Sequence, residues 1–200
     1  ATSRFENVNA SSNNQGGIYV AGHGAATVLG DSRLWLEGVT ADANGSNGIA
    51  FGGNGSQSTT GEVGVAFAGI SANDNGEAGL RIAGNVAQTA TGEVAAVFVS
   101  MHVNGNGAGG GLYLGGSGAT ILSGEAGFSM EEIEATNNSG NGIWIGQDAA
   151  QSGSGNATAQ ISAINASGNV ASGLAIQGSG ASTDLGDATL AVQEGEGRCG

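Results

Sequence analysis

A repeat of about 31 residues runs through the whole chain and constrains its fold more than any other feature. An asparagine marks each copy at steps of 31 residues, with a last step of 32: Asn13, Asn44, Asn75, Asn106, Asn137 and Asn169. A glycine followed by an acid or amide keeps nearly the same step: Gly30-Asp31, Gly61-Glu62, Gly92-Glu93, Gly124-Glu125, Gly155-Asn156 and Gly186-Asp187. Because a fixed period between about 20 and 50 residues is typical of solenoids, we assign residues 1–200 to a single repeat domain.

Apolar residues recur in columns when the repeats are aligned on the glycine marker. Alternate residues of a strand point to the same side, so each column is expected to face inward. The first column is Ser3, Leu34, Val65, Ala96, Phe128, Ala159 and Leu190, and the second is Phe5, Leu36, Phe67, Phe98, Met130, Ile161 and Val192. After a two-residue bend, a third column follows: Val8, Val39, Ile70, Met101, Ile133 and Ile164.

Three short strands per repeat, with like residues in columns, predict an all-β parallel β-helix of about six and a half turns. No apolar run keeps the 3.6-residue period of a helix. The asparagine column has a structural explanation, since asparagine tolerates left-handed backbone and its amide can donate and accept along a stack of amides. We therefore predict a structural asparagine ladder in the turn before the second strand.

Charge excludes several classes of partner. Four arginines, no lysine and seventeen acidic residues give a formal charge of −13. Nucleic acids and anionic membrane surfaces attract basic faces, so neither is an expected partner. No run of eighteen apolar residues is present to insert into a membrane. One cysteine, Cys199, allows no internal disulfide.

The phrase Asn-x-x-Gly-Asn-Gly-Ile-x-Ile-Gly at residues 137–146 resembles the right-handed parallel β-helix repeats of the pectin-lyase-like superfamily. The resemblance covers nearly the whole chain and implies a right-handed coil. That superfamily includes polysaccharide lyases and hydrolases, phage tailspikes, adhesins and passenger domains, so the resemblance is informative for fold and poor for function.

The sequence contains no complete group of residues typical of a catalytic site. The outward column of the second strand is Tyr19, Ala50, Arg81, Tyr113, Trp144 and Ala175, which lacks the carboxylate pair that glycoside hydrolysis uses. Gly22-His23-Gly24 resembles an element of polygalacturonases, but its companion elements are missing. His102 is expected beside Glu134 as a surface pair, with Ser71 on its other side. We predict no catalytic residue and no enzymatic activity.

Two outward columns are candidates for binding. Aromatic and basic side chains at Tyr19, Arg81, Tyr113 and Trp144 could stack on sugar rings, or the rings could cover a loop or an interface. Acidic side chains form the other column: Asp31, Glu62, Glu93, Glu125 and Asp187. Ca²⁺ could bridge neighbouring carboxylates there, or the side chains could splay apart; no other cofactor is expected.

These features favour a non-enzymatic, secreted or cell-surface β-helix that serves as an adhesin segment, a stalk or a fibre subunit. The alternative is a β-helix that binds or cleaves polysaccharide. The expected partners are further copies of the chain and other surface proteins, with polysaccharide as the partner in the alternative. Head-to-tail stacking would continue the coil and place Cys199 near a junction between chains, whereas Gly195, Gly197 and the flanking charges would blunt that edge.

Overall fold

The structure, a computed structural model, describes residues 1–193 and consists of parallel strands stacked as a β-solenoid of about six turns. Strands of consecutive turns pair in register at spacings of 31 or 32 residues. The described residues contain no helix, so the prediction of an all-β parallel β-helix is confirmed. The predicted junction residues Gly195, Gly197 and Cys199 lie outside the described residues.

Each turn contributes three segments. The first segment forms β1 (Thr2–Glu6), β4 (Ser32–Glu37), β7 (Val63–Ser71), β14 (Ala157–Asn165) and β17 (Ala188–Gln193). The second segment forms β2 (Ile18–Val20), β5 (Ile49–Phe51), β8 (Ala78–Ile82), β10 (Gly110–Leu114), β12 (Ile143–Ile145) and β15 (Leu174–Ile176). The closing segment forms β3 (Ala25–Ala26), β6 (Ser56–Gln57), β13 (Ala150–Ser154) and β16 (Ala181–Leu185).

Two long strands, β9 (Ala87–His102) and β11 (Ala119–Glu134), run from a closing segment into the next first segment. They join both segments into one eleven-stranded sheet, while the second segments form a separate sheet of six strands. The two sheets enclose one continuous apolar core.

The predicted inward columns hold the turns together. Leu34 pairs with Val65, and Ile70 pairs with Met101, as the alignment of the repeats predicts. Phe67 and Phe98, from consecutive turns, are stacked with ring centroids 5.1 Å apart. Since one turn cannot bury its own apolar face, this stacking of neighbouring turns produces the core.

Three left-handed corners bend the backbone in each turn. The first corner column is Asn7, Gly38, Gly69, Ser100, Glu132 and Ala163, and the second is Ser12, Ala43, Asp74, Gly105, Asn137 and Gly168. Most of these residues are not glycine, and their φ angles of 51–69° lie within or near the left-handed region that side chains tolerate. The third corner is the glycine marker, where φ ranges from 85° to 137°. Only glycine adopts such angles without strain, which explains its recurrence there.

Gly61→Ala should destabilise the protein by about 1–3 kcal/mol, the usual cost of a strained backbone position. At Gly61 φ is 114°, and an added Cβ would lie 2.6 Å from the carbonyl carbon of Gly30. Gly30→Ala is the matched control, because φ is also positive there but a Cβ would meet nothing within 4 Å. Thermal melts should rank Gly30→Ala closer to the wild type, and the reverse order would contradict this account of the corner.

The asparagine ladder is present, but Asn137 is not a member of it. Amide groups link Asn13, Asn44, Asn75, Asn106, Asn138 and Asn169 through Nδ2 to Oδ1 hydrogen bonds of 2.9–3.1 Å. The extra residue of the 32-residue step lies in a turn between Asn106 and Leu112, closed by a hydrogen bond from the Gly110 N–H to the Gly107 carbonyl. Asn137 instead occupies the left-handed corner that precedes each ladder position.

Candidate functional site

The aromatic column lies on the outer face of the second segments, with the predicted register. Tyr113 and Trp144 stack with centroids 4.5 Å apart and planes inclined by 24°. The guanidinium carbon of Arg81 lies 5.6 Å from the centroid of the Tyr113 ring. Tyr19 is 70% exposed and is separated from Arg81 by the small Ala50. The structure therefore brings Arg81, Tyr113 and Trp144 together and leaves Tyr19 apart.

This packing limits what the rings can bind. Arg81 and Trp144 come from the turns on either side of Tyr113, so both faces of the phenol ring are covered. Such stacked and cation–π pairs stabilise a fold by about 0.5–1.5 kcal/mol each. The other face of Trp144 is toward Ala175, its register partner on the next turn. No aromatic ring of the described residues stacks on that face. A sugar ring could stack on that face of Trp144 alone.

The acidic column is partly neutralised at one end. The guanidinium of Arg33 lies 3.1 Å from the Glu62 carboxylate and 4.0 Å from that of Asp31. Glu93 and Glu125 pair in register on adjacent turns and make no ion pair within the described residues. Asp187 donates its backbone N–H to Asn156 at the other end of the column. Among residues 1–193, no three His, Cys, Asp or Glu side chains are grouped closely enough to hold a metal ion.

Calcium remains a proposal for the Glu93–Glu125 pair, and melting experiments test it. Like charges directly opposite on neighbouring strands are destabilising, by an amount on the order of a few tenths of a kcal/mol. If Ca²⁺ bridges the two carboxylates, millimolar Ca²⁺ should raise the melting temperature and a chelator should reverse the rise. Glu93→Gln should abolish this response, whereas Glu131→Gln, outside the column, should keep it. An unchanged melting temperature in the wild type would eliminate the bridge.

Both histidines make contacts between turns. His102 Nδ1 lies 3.0 Å from Glu134 Oε2, and the two side chains are 59% and 42% exposed, as expected for a surface pair. Ser71 pairs in register with His102, but its hydroxyl donates to the carboxylate of Asp42. His23 Nδ1 accepts a hydrogen bond from the Asn54 N–H, which fixes this loop to the next turn. These contacts give both histidines a role in the stacking of the turns.

A further column, on the closing segments, was missed from the sequence. It consists of Gln57, Gln88, Thr120, Gln151 and Ser182, which pair in register on consecutive turns. Its members recur at steps of 31, 32, 31 and 31 residues, the same signal that revealed the core columns. We call the surface along this column the amide groove.

Comparisons with models of protein families, with curated proteins and with solved structures found no match to this chain. The fold is therefore established by the structure itself. In the described part of the chain, no helix has the length and apolar character required to cross a membrane.

Proposed function

We propose that this protein is a non-enzymatic extracellular scaffold that presents repeated side-chain columns to partners, as an adhesin segment or stalk does. The observation that supports this proposal is the register between turns. Core columns, corners and the asparagine ladder all fix each turn against the next. Outward side chains consequently recur about every 4.8 Å along the rod, the spacing of paired strands. Such an extended, rigid array suits multiple weak contacts.

The surface chemistry defines the partners that fit this role. With a formal charge of −13, the rod should repel acidic polymers and accept neutral or basic partners. The first segments of two neighbouring turns also carry the partly buried Ala66 and the exposed Val97, beside the half-exposed Trp35. Other surface proteins could pack on that face.

Self-association by stacking is part of this proposal. Leu190 and Val192 continue two buried columns, but they are 43% and 59% exposed. Within the described residues β17 pairs with β14 alone. A further turn, from a second copy or from another segment, would cover these side chains. Sedimentation velocity over a wide concentration range tests the first case: larger species should form, and Val192→Glu should suppress them.

Polysaccharide binding or cleavage, as in the pectin-lyase-like superfamily, is the second candidate function. The face of Trp144 that does not stack on Tyr113 supports it, because an aromatic ring held on a rigid strand is a good surface for stacking. If this candidate is correct, Trp144→Ala should weaken glycan binding, whereas Trp35→Ala, on another face, should not.

A product assay separates the two functions. The chain should be incubated with pectin, alginate and neutral glycans while reducing ends and unsaturated products are followed. The scaffold proposal predicts no product above the buffer control. Turnover that is lost in Trp144→Ala or His102→Ala would overturn it.

A further inference from the structure

The amide groove extends along the rod over the outer face of the closing segments. One side carries the amide column, and the other carries Val28, Thr59 and Leu122. Val28 and Leu122 are about 70% exposed and form apolar ridges beside a mainly polar floor. Asp184 is the one charged side chain that lines the groove among the described residues.

Two of the three glutamine amides of the groove, those of Gln57 and Gln88, are oriented before any ligand binds. Gln57 Oε1 accepts a hydrogen bond of 2.8 Å from Asn54 Nδ2. Gln88 Oε1 accepts from both Asn54 and Asn85, at 2.9 and 3.1 Å. With these two carbonyl oxygens engaged, the Nε2 groups of Gln57 and Gln88 donate to no acceptor within residues 1–193 and are left to serve a ligand. Such preorganised donors lower the cost of ordering the site on binding.

Thr120 lies between Gln88 and Gln151 in the same column and has an unusual hydroxyl. Its Oγ1 is the one buried side-chain nitrogen or oxygen of the described residues that has no hydrogen-bond partner. Buried polar groups are nearly always satisfied, so an orphan along the side of a groove indicates a missing partner. Because this oxygen is inaccessible to solvent, Thr120 would have to rotate toward the groove to bond a ligand hydroxyl.

We propose that the amide groove binds a neutral polysaccharide along the rod axis. Amides and hydroxyls without charge suit a polymer that repeats hydroxyl groups. The net negative charge of the chain disfavours acidic glycans. This inference gives the proposed adhesive role a ligand and rests on that role.

An extended peptide fits the groove less well. Peptides that add a strand pair with a sheet edge. In the groove the backbone groups already pair between turns, as in the bond from the Ser58 N–H to the Gln88 carbonyl. A peptide in the groove could bond only to side chains, without the backbone pairing that it forms at a sheet edge. A glycan needs only hydrogen bonds to side chains.

Native affinity electrophoresis against a panel of glycans tests the proposal. The chain is run through gels that contain amylose, dextran, laminarin, galactomannan or xyloglucan, with polygalacturonate and alginate as acidic counterparts. At least one neutral polymer should retard the wild type. Gln151→Ala should weaken that retention roughly three- to tenfold, the effect of one lost hydrogen bond. Gln151 is exposed and makes no side-chain hydrogen bond in the described structure, so the variant should keep the wild-type fold.

Thr120→Val provides a second, independent signature. Removal of an unsatisfied hydroxyl should raise the melting temperature, while loss of a ligand contact should weaken retention. A variant that is more stable yet binds less cannot be explained by misfolding. Gln160→Ala, an exposed glutamine on β14 outside the groove, is the matched control and should be retained like the wild type.

Three results would overturn the proposal: no retention by any neutral polymer, equal retention of all variants, or loss of retention in Trp144→Ala alone. The last would place binding on the aromatic column. Absence of retention without product formation would leave the scaffold proposal intact. Product formation from a retained glycan would instead overturn the proposal of a non-enzymatic scaffold. The result on binding in the groove would still stand.

Discussion

Ile70→Ala should lower the free energy of unfolding by about 2–5 kcal/mol, the range for truncation of a fully buried aliphatic side chain. Ile70 is 1% exposed and lies in the third inward column, paired with Met101 on one side. On its other side, the pairing of Thr40 with Ser71 places Val39 opposite it. Because neighbouring turns clamp the site from both sides, the backbone has little freedom to collapse into the cavity.

Ile164→Ala is the matched control, since the same residue type occupies the same column but is only partly buried. Urea unfolding monitored by circular dichroism should show a loss at Ile164 of less than half that at Ile70. Equal losses would mean that column position, and not burial, determines the effect. A melt of Ile70→Ala that matches the wild type would contradict the register itself.

The core could be predicted because two periods coincide in it. The 31-residue step identified which residues stack, and the alternation within each strand identified which of them face inward. Leu34, Phe67 and Ile70 are all buried as those two periods require. The glycine marker was predicted as a position, but its cause, a backbone angle that only glycine adopts, became apparent from the structure.

The single wrong ladder assignment has a specific cause. Asn137 and Asn138 are adjacent asparagines, and a step of 31 residues from Asn106 selects the first. The inserted residue between Asn106 and Leu112 displaces every later residue by one position, so Asn138 is the ladder residue. The insertion was detectable from the sequence, because the outward column steps by 32 residues from Arg81 to Tyr113, but the step from Asn106 did not take it into account.

Part of the candidate site could also be predicted from the sequence, and part could not. The sequence placed Arg81, Tyr113 and Trp144 in one outward column, and the structure has them there. It could not predict that the rings would stack on each other, because side-chain torsions depend on the neighbours that each ring meets. The amide column needed only the period to be recognised, but the anchoring of Gln88 by Asn54 and Asn85 depends on three-dimensional contacts.

Removal of one asparagine from the ladder is the other substitution that we expect to destabilise the protein strongly. Asn75 Oδ1 accepts from both the backbone N–H and the Nδ2 of Asn44, at 2.9 and 3.0 Å. Asn75 also donates its N–H and Nδ2 to Asn106 Oδ1, each at 3.0 Å. All three residues are at most 2% exposed, so water cannot replace a lost partner. One side chain thus satisfies groups in the turns on both sides of it.

Asn75→Ala should therefore cost about 2–6 kcal/mol, since two buried donors of Asn44 lose their acceptor at about 1–3 kcal/mol each. Asn13→Ala is the matched control: Asn13 is exposed at the start of the ladder and, within the described residues, no ladder amide donates to it. Hydrogen exchange adds a local readout, because the amide proton of Asn44 should lose protection in Asn75→Ala while that of Asn138 keeps it. Equal destabilisation by the two variants would show that the ladder contributes through turn geometry and not through its buried hydrogen bonds.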